Sequence, residues 1–364
     1  MAITYNESTR VFTLQTEHTT YQMKVGRYDI LKHLYYGKRV EGSTMDYLLW
    51  YPDVGFSGNP YEAETDKCFS LDIQPQEFPS DGVGDYREGC IEVVNPDGSR
   101  AADFRYASHS ISRGAYQVKG MPAAYDEGSE SATLSIFLKD AVTGLELELK
   151  YGVFEKEDMI TRAAVLYNAT AGTVELEKLL SVCLEIPFGQ WEAVHFHGRH
   201  AMERQMERLP LGHGTFSISS KRGTSSHQHN PSLILCAPET TEDAGECYGM
   251  LLVYSGNFTI RAEVDQMGQT RAVMGINPEQ FRFRLEAGES FETPQAILGF
   301  SAEGFTKLSH RFHRMISRHI CRGKYKYARR PILINNWEAT YFDFNEDKIM
   351  RIANQAAELG IEML

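Results

Sequence analysis

A chain of 364 residues that is 42% hydrophobic and 11% aromatic has enough apolar material for extensive cores, which argues against a disordered polypeptide. Its net charge of −12 argues against a nucleic-acid or anionic-membrane partner, because both need clustered Lys and Arg, and is compatible with a neutral ligand. The segment Met1-Ala2-Ile3-Thr4-Tyr5-Asn6 lacks a basic stretch followed by an apolar one, and no run approaches the ~20 apolar residues of a membrane span, so a cytoplasmic location with no membrane partner is expected.

From Ile3 to about Gly299 short alternating segments are separated by turn residues. Period-two patterning covers residues 9–14, 20–25, 133–138, 145–151, 160–166 and 281–285. Asn95-Pro96-Asp97-Gly98 and Thr143-Gly144 are hairpin-type turn signals. Many evenly spaced strands predict a mainly-β fold, a large antiparallel β-sandwich. Cys68, Cys90, Cys183, Cys236, Cys247 and Cys321 show no metal-ligand spacing and read as reduced thiols.

Between Ala302 and Ile320 the period lengthens, placing Phe305, Leu308, Phe312 and Ile316 on one face of a helix. Arg318, Arg322, Lys324 and Lys326 then form a basic stretch that reads as a solvated connector. The expected division is a sandwich over 1–300, a helical linker over 301–329 and a third region over 330–364. In that region Ile332, Leu333 and Ile334 follow Pro331 as a strand buried on both faces, and polar and aromatic residues begin abruptly after it. Asn345 can cap a helix whose apolar stripe is Ile349, Ile352, Ala353, Ala356 and Leu359, and Gly360 ends it. Ile361, Met363 and Leu364 begin a second strand, the opening of a βαβ unit.

Ligand sites in open α/β folds and barrels lie at the carboxyl ends of parallel strands, which singles out Trp337 with Asn335 and Asn336. An indole there either stacks on a flat ligand such as a sugar ring or packs under the helix. Residues 50–61, from Trp50 to Tyr61, combine aromatics with the Asp53 carboxylate and several Gly and Pro, the composition of an exposed shaped loop. His195, His197 and His200 lie close together in sequence, but no cysteine or carboxylate completes a tetrahedral set, so a metal is not expected. The Ser226-His227 pair lacks the strand, elbow and helix of a nucleophilic serine and reads as a polar turn.

The run Asn335-Asn336-Trp337-Glu338-Ala339-Thr340-Tyr341-Phe342 resembles the first barrel strand of bacterial α-galactosidases of glycoside hydrolase family 36. The runs Ser226-His227-Gln228-His229-Asn230-Pro231 and Asp46-Tyr47-Leu48-Leu49-Trp50-Tyr51-Pro52-Asp53 are similar to the same family. The resemblance implies an N-terminal supersandwich, the helical linker, and the first strand and helix of a truncated (β/α)8 barrel. It implies hydrolysis of terminal α-linked galactose from raffinose- or melibiose-type oligosaccharides with retention, without metal or organic cofactor. It also implies that the nucleophile and acid/base aspartates belong to later barrel strands than this chain contains, leaving the chain inactive alone. Trp337 and Asn336 become sugar contacts. In tetrameric members the residue matching Asp53 accepts hydrogen bonds from a sugar in a neighbouring subunit's site, so a homotetramer is expected. Many members carry tryptophan where His200 lies, before a basic, acidic, basic cluster matched by Met202, Glu203 and Arg204; His200 and Arg204 are therefore further candidate contacts. The alternatives are a non-catalytic sugar-binding or oligomerisation module, a raffinose-related transglycosidase, and a related glycosidase such as an α-N-acetylgalactosaminidase.

Overall fold

The computed structural model describes residues 2–55, 58–128 and 130–364. The chain divides into two compact units, Met1–Ile320 and Cys321–Leu364. Strands in the first unit are β1 Ile3–Asn6, β2 Val11–Gln15, β3 Thr19–Val25, β4 Leu31–Lys38, β5 Ile91–Val94, β6 Arg105–Arg113 and β7 Ala132–Lys139. They continue as β8 Leu145–Phe154, β9 Met159–Asn168, β10 Val174–Ile186, β11 Glu192–Arg199, β12 Met202–Pro210, β13 Gly214–Ser219 and β14 Ser232–Cys236. The last are β15 Cys247–Leu252, β16 Phe258–Val264, β17 Thr270–Ile276, β18 Phe283–Leu285, β19 Ser290–Glu292 and β20 Ala296–Ser301.

These strands form three sheets. One is the meander β1-β2-β3-β4, the second has the path β13-β16-β17-β10-β18, and the third runs β12-β11-β14-β15-β20-β9-β8-β7-β6. The pairings within them are antiparallel, as the alternating patterns predict. Both turn signals do what their residues require: Gly98 (φ 84°) donates to the Asn95 carbonyl at 2.9 Å, and Gly144 (φ 85°) closes the β7–β8 hairpin on the Asp140 carbonyl at 3.0 Å. One hydrophobic core draws Phe12, Tyr21, Leu149, Leu184, Phe258 and Leu298 from all three sheets.

Two buried charge networks cross that core. Glu77, fully buried, accepts from Tyr21 (2.8 Å), Tyr151 (2.7 Å) and His33 Nδ1 (2.8 Å), and pairs with Arg162 at 3.1 Å. Burial alone raises its pKa; Arg162, His33 and Tyr151 outweigh that and hold it below the usual carboxylate range. Arg271 likewise pairs with Asp85 and Glu185, each at 2.7 Å. The Glu77, Asp85 and Glu185 carboxylates each accept from a donor on a strand elsewhere in the chain, so these ions fix how the sheets sit on one another.

Helix α1, Gly304–Met315, lies against β20 and β15 of the third sheet. Its buried residues are Gly304, Leu308, Arg311 and Met315, whereas Phe305, Phe312 and Ile316 are half-buried. Arg311 displaces the expected apolar stripe because it reaches Asp158 at 3.0 Å and the Phe300 carbonyl. Gly249 and Gly299 supply the room: a Cβ at Gly299 would meet Leu308 at 3.1 Å. The cysteines are free thiols, with Cys90, Cys183, Cys236 and Cys247 buried and Cys321 exposed. No helix among the described residues is long and apolar enough to cross a membrane.

In the second unit α2, Trp337–Thr340, is a single turn and α3, Glu346–Glu358, is the amphipathic helix. Asn345 caps α3, its Oδ1 accepting from Lys348 N at 3.0 Å, and Gly360 ends it at φ 79°. Leu333 and Met363 form a parallel bridge, so the βαβ opening is present. The strand expected over Ile332–Ile334 is reduced to that bridge, and Ile332 and Leu333 are 55% and 56% exposed. Burial on both faces requires further parallel strands and helices than these 364 residues supply.

Candidate functional site

The bridge at Leu333 aims the next residues out of the βα unit, and the turn that follows is built by its own side chains. Asn335 Oδ1 accepts from Trp337 N at 2.9 Å, and Asn336 Nδ2 donates to Thr340 Oγ1 at 2.8 Å. The two asparagines therefore do not alternate along a strand; each satisfies a group of α2. Trp337 is 47% exposed and packs edge-on against Tyr341 (5.6 Å) and Phe342 (5.0 Å), which hold the indole while leaving much of its surface open.

In the first unit, residues 50–55 and 58–61 form a loop anchored from below; Phe56 and Ser57 lie outside the described residues. Asp53 is exposed and its Oδ1 accepts from Gly55 N at 2.8 Å in an Asx turn, with Gly55 at φ 69°. Val54 N bonds the Lys67 carbonyl at 3.1 Å. Gln74 Nε2 donates to the Trp50 carbonyl at 2.6 Å while its Oε1 accepts from Lys32 Nζ at 2.8 Å. Lys32 is wholly buried beneath Phe69 (4.3 Å to the ring centre) and Tyr51 (5.2 Å), and burial lowers its pKa to about 7. Sequence inspection missed this lysine, since nothing local marks it as internal.

His200 and Arg204 are exposed at the tip of the β11–β12 hairpin. A register shift between His197 and Arg199 marks a bulge, and Ala201 (φ 59°) and Arg204 (φ 58°) both adopt left-handed backbone that only glycine enters freely. Glu203 Oε1 ties down Ala201 N at 2.9 Å. The Arg204 guanidinium lies 5.9 Å from the Phe196 ring, beside a groove of about 600 Å³ that Met206, Phe305 and Phe312 also line.

His195, His197 and His229 gather at the base of this hairpin, with ring centres 5.8 and 6.0 Å from His195 and Glu207 Oε2 at 3.2 Å from His195 Nε2. Burial depresses the pKa of His195 and of His229, whose neighbouring imidazoles depress it further. Among the described residues no group of three His, Cys, Asp or Glu is arranged to hold a metal ion. Ser226, at φ 54°, accepts from Gln228 N at 3.2 Å and makes a backbone turn, as the sequence indicates.

Comparison with known proteins adds what these contacts alone do not carry. The family description "Glycosyl hydrolase family 36 N-terminal domain" matches residues 29–286, and "Melibiase" matches residues 290–364. The chain is 50% identical over its whole length to the bifunctional alpha-galactosidase/sucrose kinase AgaSK of Mediterraneibacter gnavus, spanning 39% of that protein. It is 42% identical to alpha-galactosidase AgaA of Geobacillus stearothermophilus, again over 100% of this chain and 50% of the relative. The galactosidase domain of AgaSK superposes with a TM-score of 0.96 at 49% identity, covering 100% of this chain and 50% of that one. A doubly substituted variant of AgaA in complex with raffinose gives 0.93 at 42%, covering 97% and 49%. The chain thus spans half or less of the length of these relatives, and over 29–286 and 290–364 it belongs to glycoside hydrolase family 36.

Proposed function

We propose that this chain is the substrate-shaping part of a retaining α-galactosidase acting on raffinose- or melibiose-type oligosaccharides, active when the polypeptide also carries the later barrel strands. The observation that carries this reading is similarity along the whole of this chain to proteins named alpha-galactosidases, one of them seen with raffinose. The chain supplies the matching chemistry: an indole held open at Trp337, at the carboxyl end of the parallel bridge, suits the apolar face of a galactosyl ring. Asn336 fixes α2 and so sets the indole's position. Retention requires a carboxylate nucleophile and an acid/base about 5 Å apart, which the rest of the barrel would provide. Asp53, on a loop clamped by Gln74 and Lys32, serves as acceptor for sugar hydroxyls in a neighbouring subunit of a homotetramer, with His200 and Arg204 bordering the substrate. The protein works in the cytoplasm without a cofactor.

The test is turnover of an aryl α-galactoside. The 364-residue chain alone should show none. In the longer polypeptide Trp337→Ala should lower kcat/KM by about 1–3 kcal/mol, and Trp337→Phe should recover part of it. Galactoside-specific turnover by the chain alone, or unchanged kinetics for Trp337→Ala, would refute the assignment of roles.

A further inference from the structure

A cleft of about 570 Å³ opens in the first unit where the ends of β16 and β17 meet β19. Its lining includes Tyr254, Gly256, Asn257, Gln280, Phe281 and Phe291. The volume falls in the range of small-ligand pockets, about 300–1,000 Å³. None of these residues belongs to the groups described above.

The apolar part is aromatic and rigid. Phe281 and Phe291 meet edge-to-face at 5.6 Å, both only half-buried. Tyr254 lies over Gly256, where a Cβ would come within 2.5 Å of the ring, so the glycine is what lets the tyrosine rest there. The polar part combines neutral groups with the charged side chains of Lys221, Glu279 and Glu292. The Tyr254 hydroxyl and the Gln280 amide have no hydrogen-bond partner among the described residues, and Gln280 is held in left-handed backbone at φ 63°. Every full charge nearby is already matched: Lys221 pairs with Glu279, and Glu292 accepts from Lys150 Nζ at 2.7 Å and Lys119 N at 2.8 Å. An ionic ligand would have to break one of those pairs, and a purely apolar ligand would bury the free amide and hydroxyl unpaired. A ligand with a C–H face and a rim of neutral hydroxyls satisfies both halves.

We propose that this cleft is a non-catalytic binding site for a neutral pyranose ring, such as a terminal sugar of an oligosaccharide. The ring lies against Tyr254 and Phe281, and its hydroxyls bond the Gln280 amide and the Tyr254 hydroxyl. This stands apart from the catalytic reading, since its lining includes none of Trp337, Asn336, Asp53, His200 or Arg204.

Raffinose titrated into the 364-residue chain, followed by saturation-transfer NMR and calorimetry, should show saturable binding with Kd on the order of 1 mM. Phe281→Ala and Gly256→Ala should abolish it. Gln280→Gly relieves the left-handed strain and so keeps the fold, yet should weaken binding by about fivefold or more. The part of the binding that Phe281→Ala removes should persist in Trp337→Ala. No saturation by about 50 mM, or equal affinity in Gln280→Gly and the parent, would overturn the proposal. Loss on Trp337→Ala with retention in Phe281→Ala would assign the signal to Trp337 and also overturn it. None of these outcomes depends on galactosidase turnover, so failure here and failure of the catalytic assignment are separately readable.

Discussion

Lys32 is an amine placed where an amine is expensive, and its chemistry yields a signed pH effect. Its folded pKa of about 7 lies below the unfolded value of about 10.4, so between those limits the unfolded chain binds more protons and this residue makes stability rise with pH. Below about pH 7 it is charged in both states and its penalty is constant. Lys32→Met should therefore flatten the rise in urea midpoint between about pH 7 and about pH 10, which matched unfolding curves at the two ends would show. Because Lys32 also positions Gln74 and through it Trp50, the same substitution should loosen the loop carrying Asp53, seen as faster amide exchange over residues 50–55. Glu77 acts with the same sign, in the acid range. Its depressed pKa contributes stability above the usual carboxylate value that is lost as pH falls, and Glu77→Gln, leaving Arg162 buried beside a neutral group, should cost about 3–5 kcal/mol in chemical denaturation.

At the scale of elements, local signals were written plainly wherever one residue type alone meets a backbone demand. Gly98 closes the turn after β5 and Gly144 the β7–β8 hairpin, both at positive φ, Asn345 caps α3 and Gly360 stops it, and each is recognisable from a few neighbouring letters. The stripe on α1 was only partly readable, because Arg311 is internal for the sake of Asp158, more than a hundred residues earlier in the chain. The left-handed backbone of Ala201 and Arg204 was invisible for a related reason: the hairpin turn at Ala201 and the bulge at Arg204 that impose it come from strand pairing and not from either residue's preference. That mismatch permits a test separating folding from binding. Arg204→Gly should raise stability by about 1 kcal/mol through relief of the backbone, measured as a higher Tm, while lowering substrate affinity in the longer polypeptide if the guanidinium borders the sugar. A lowered Tm would show that the Phe196 contact outweighs the strain.

For the whole molecule, the sequence was most informative about class and least about association between distant parts. Alternation announced the sandwich, but Glu77, Asp85, Arg162, Glu185 and Arg271 look like ordinary surface charges until the sheets bring them together. The candidate functional residues followed the same rule: Trp337 and Asp53 were singled out by motif, whereas the Lys32 anchor and the proposed Tyr254 cleft depend on residues far apart in the chain. If Asp53 completes a neighbour's site, mixing an inactive nucleophile variant of the longer polypeptide with Asp53→Ala should restore turnover as subunits exchange. A strictly monomeric active enzyme in sedimentation would rule that out.

The free cysteines give the fold a chemical clock. Burial moves the thiols of Cys236 and Cys247 up to about 11 and about 12 and raises that of Cys183 too, so the reactive thiolate is suppressed as well as shielded. Four of the six are buried, Cys183, Cys236 and Cys247 on separate strands and Cys90 just before β5, while Cys321 is exposed. A thiol reagent added to the native protein should therefore modify Cys321 at once and the buried set only as fast as the sandwich opens. The slow phase reads the opening rate at each strand in turn, with no label to introduce and no side chain to replace.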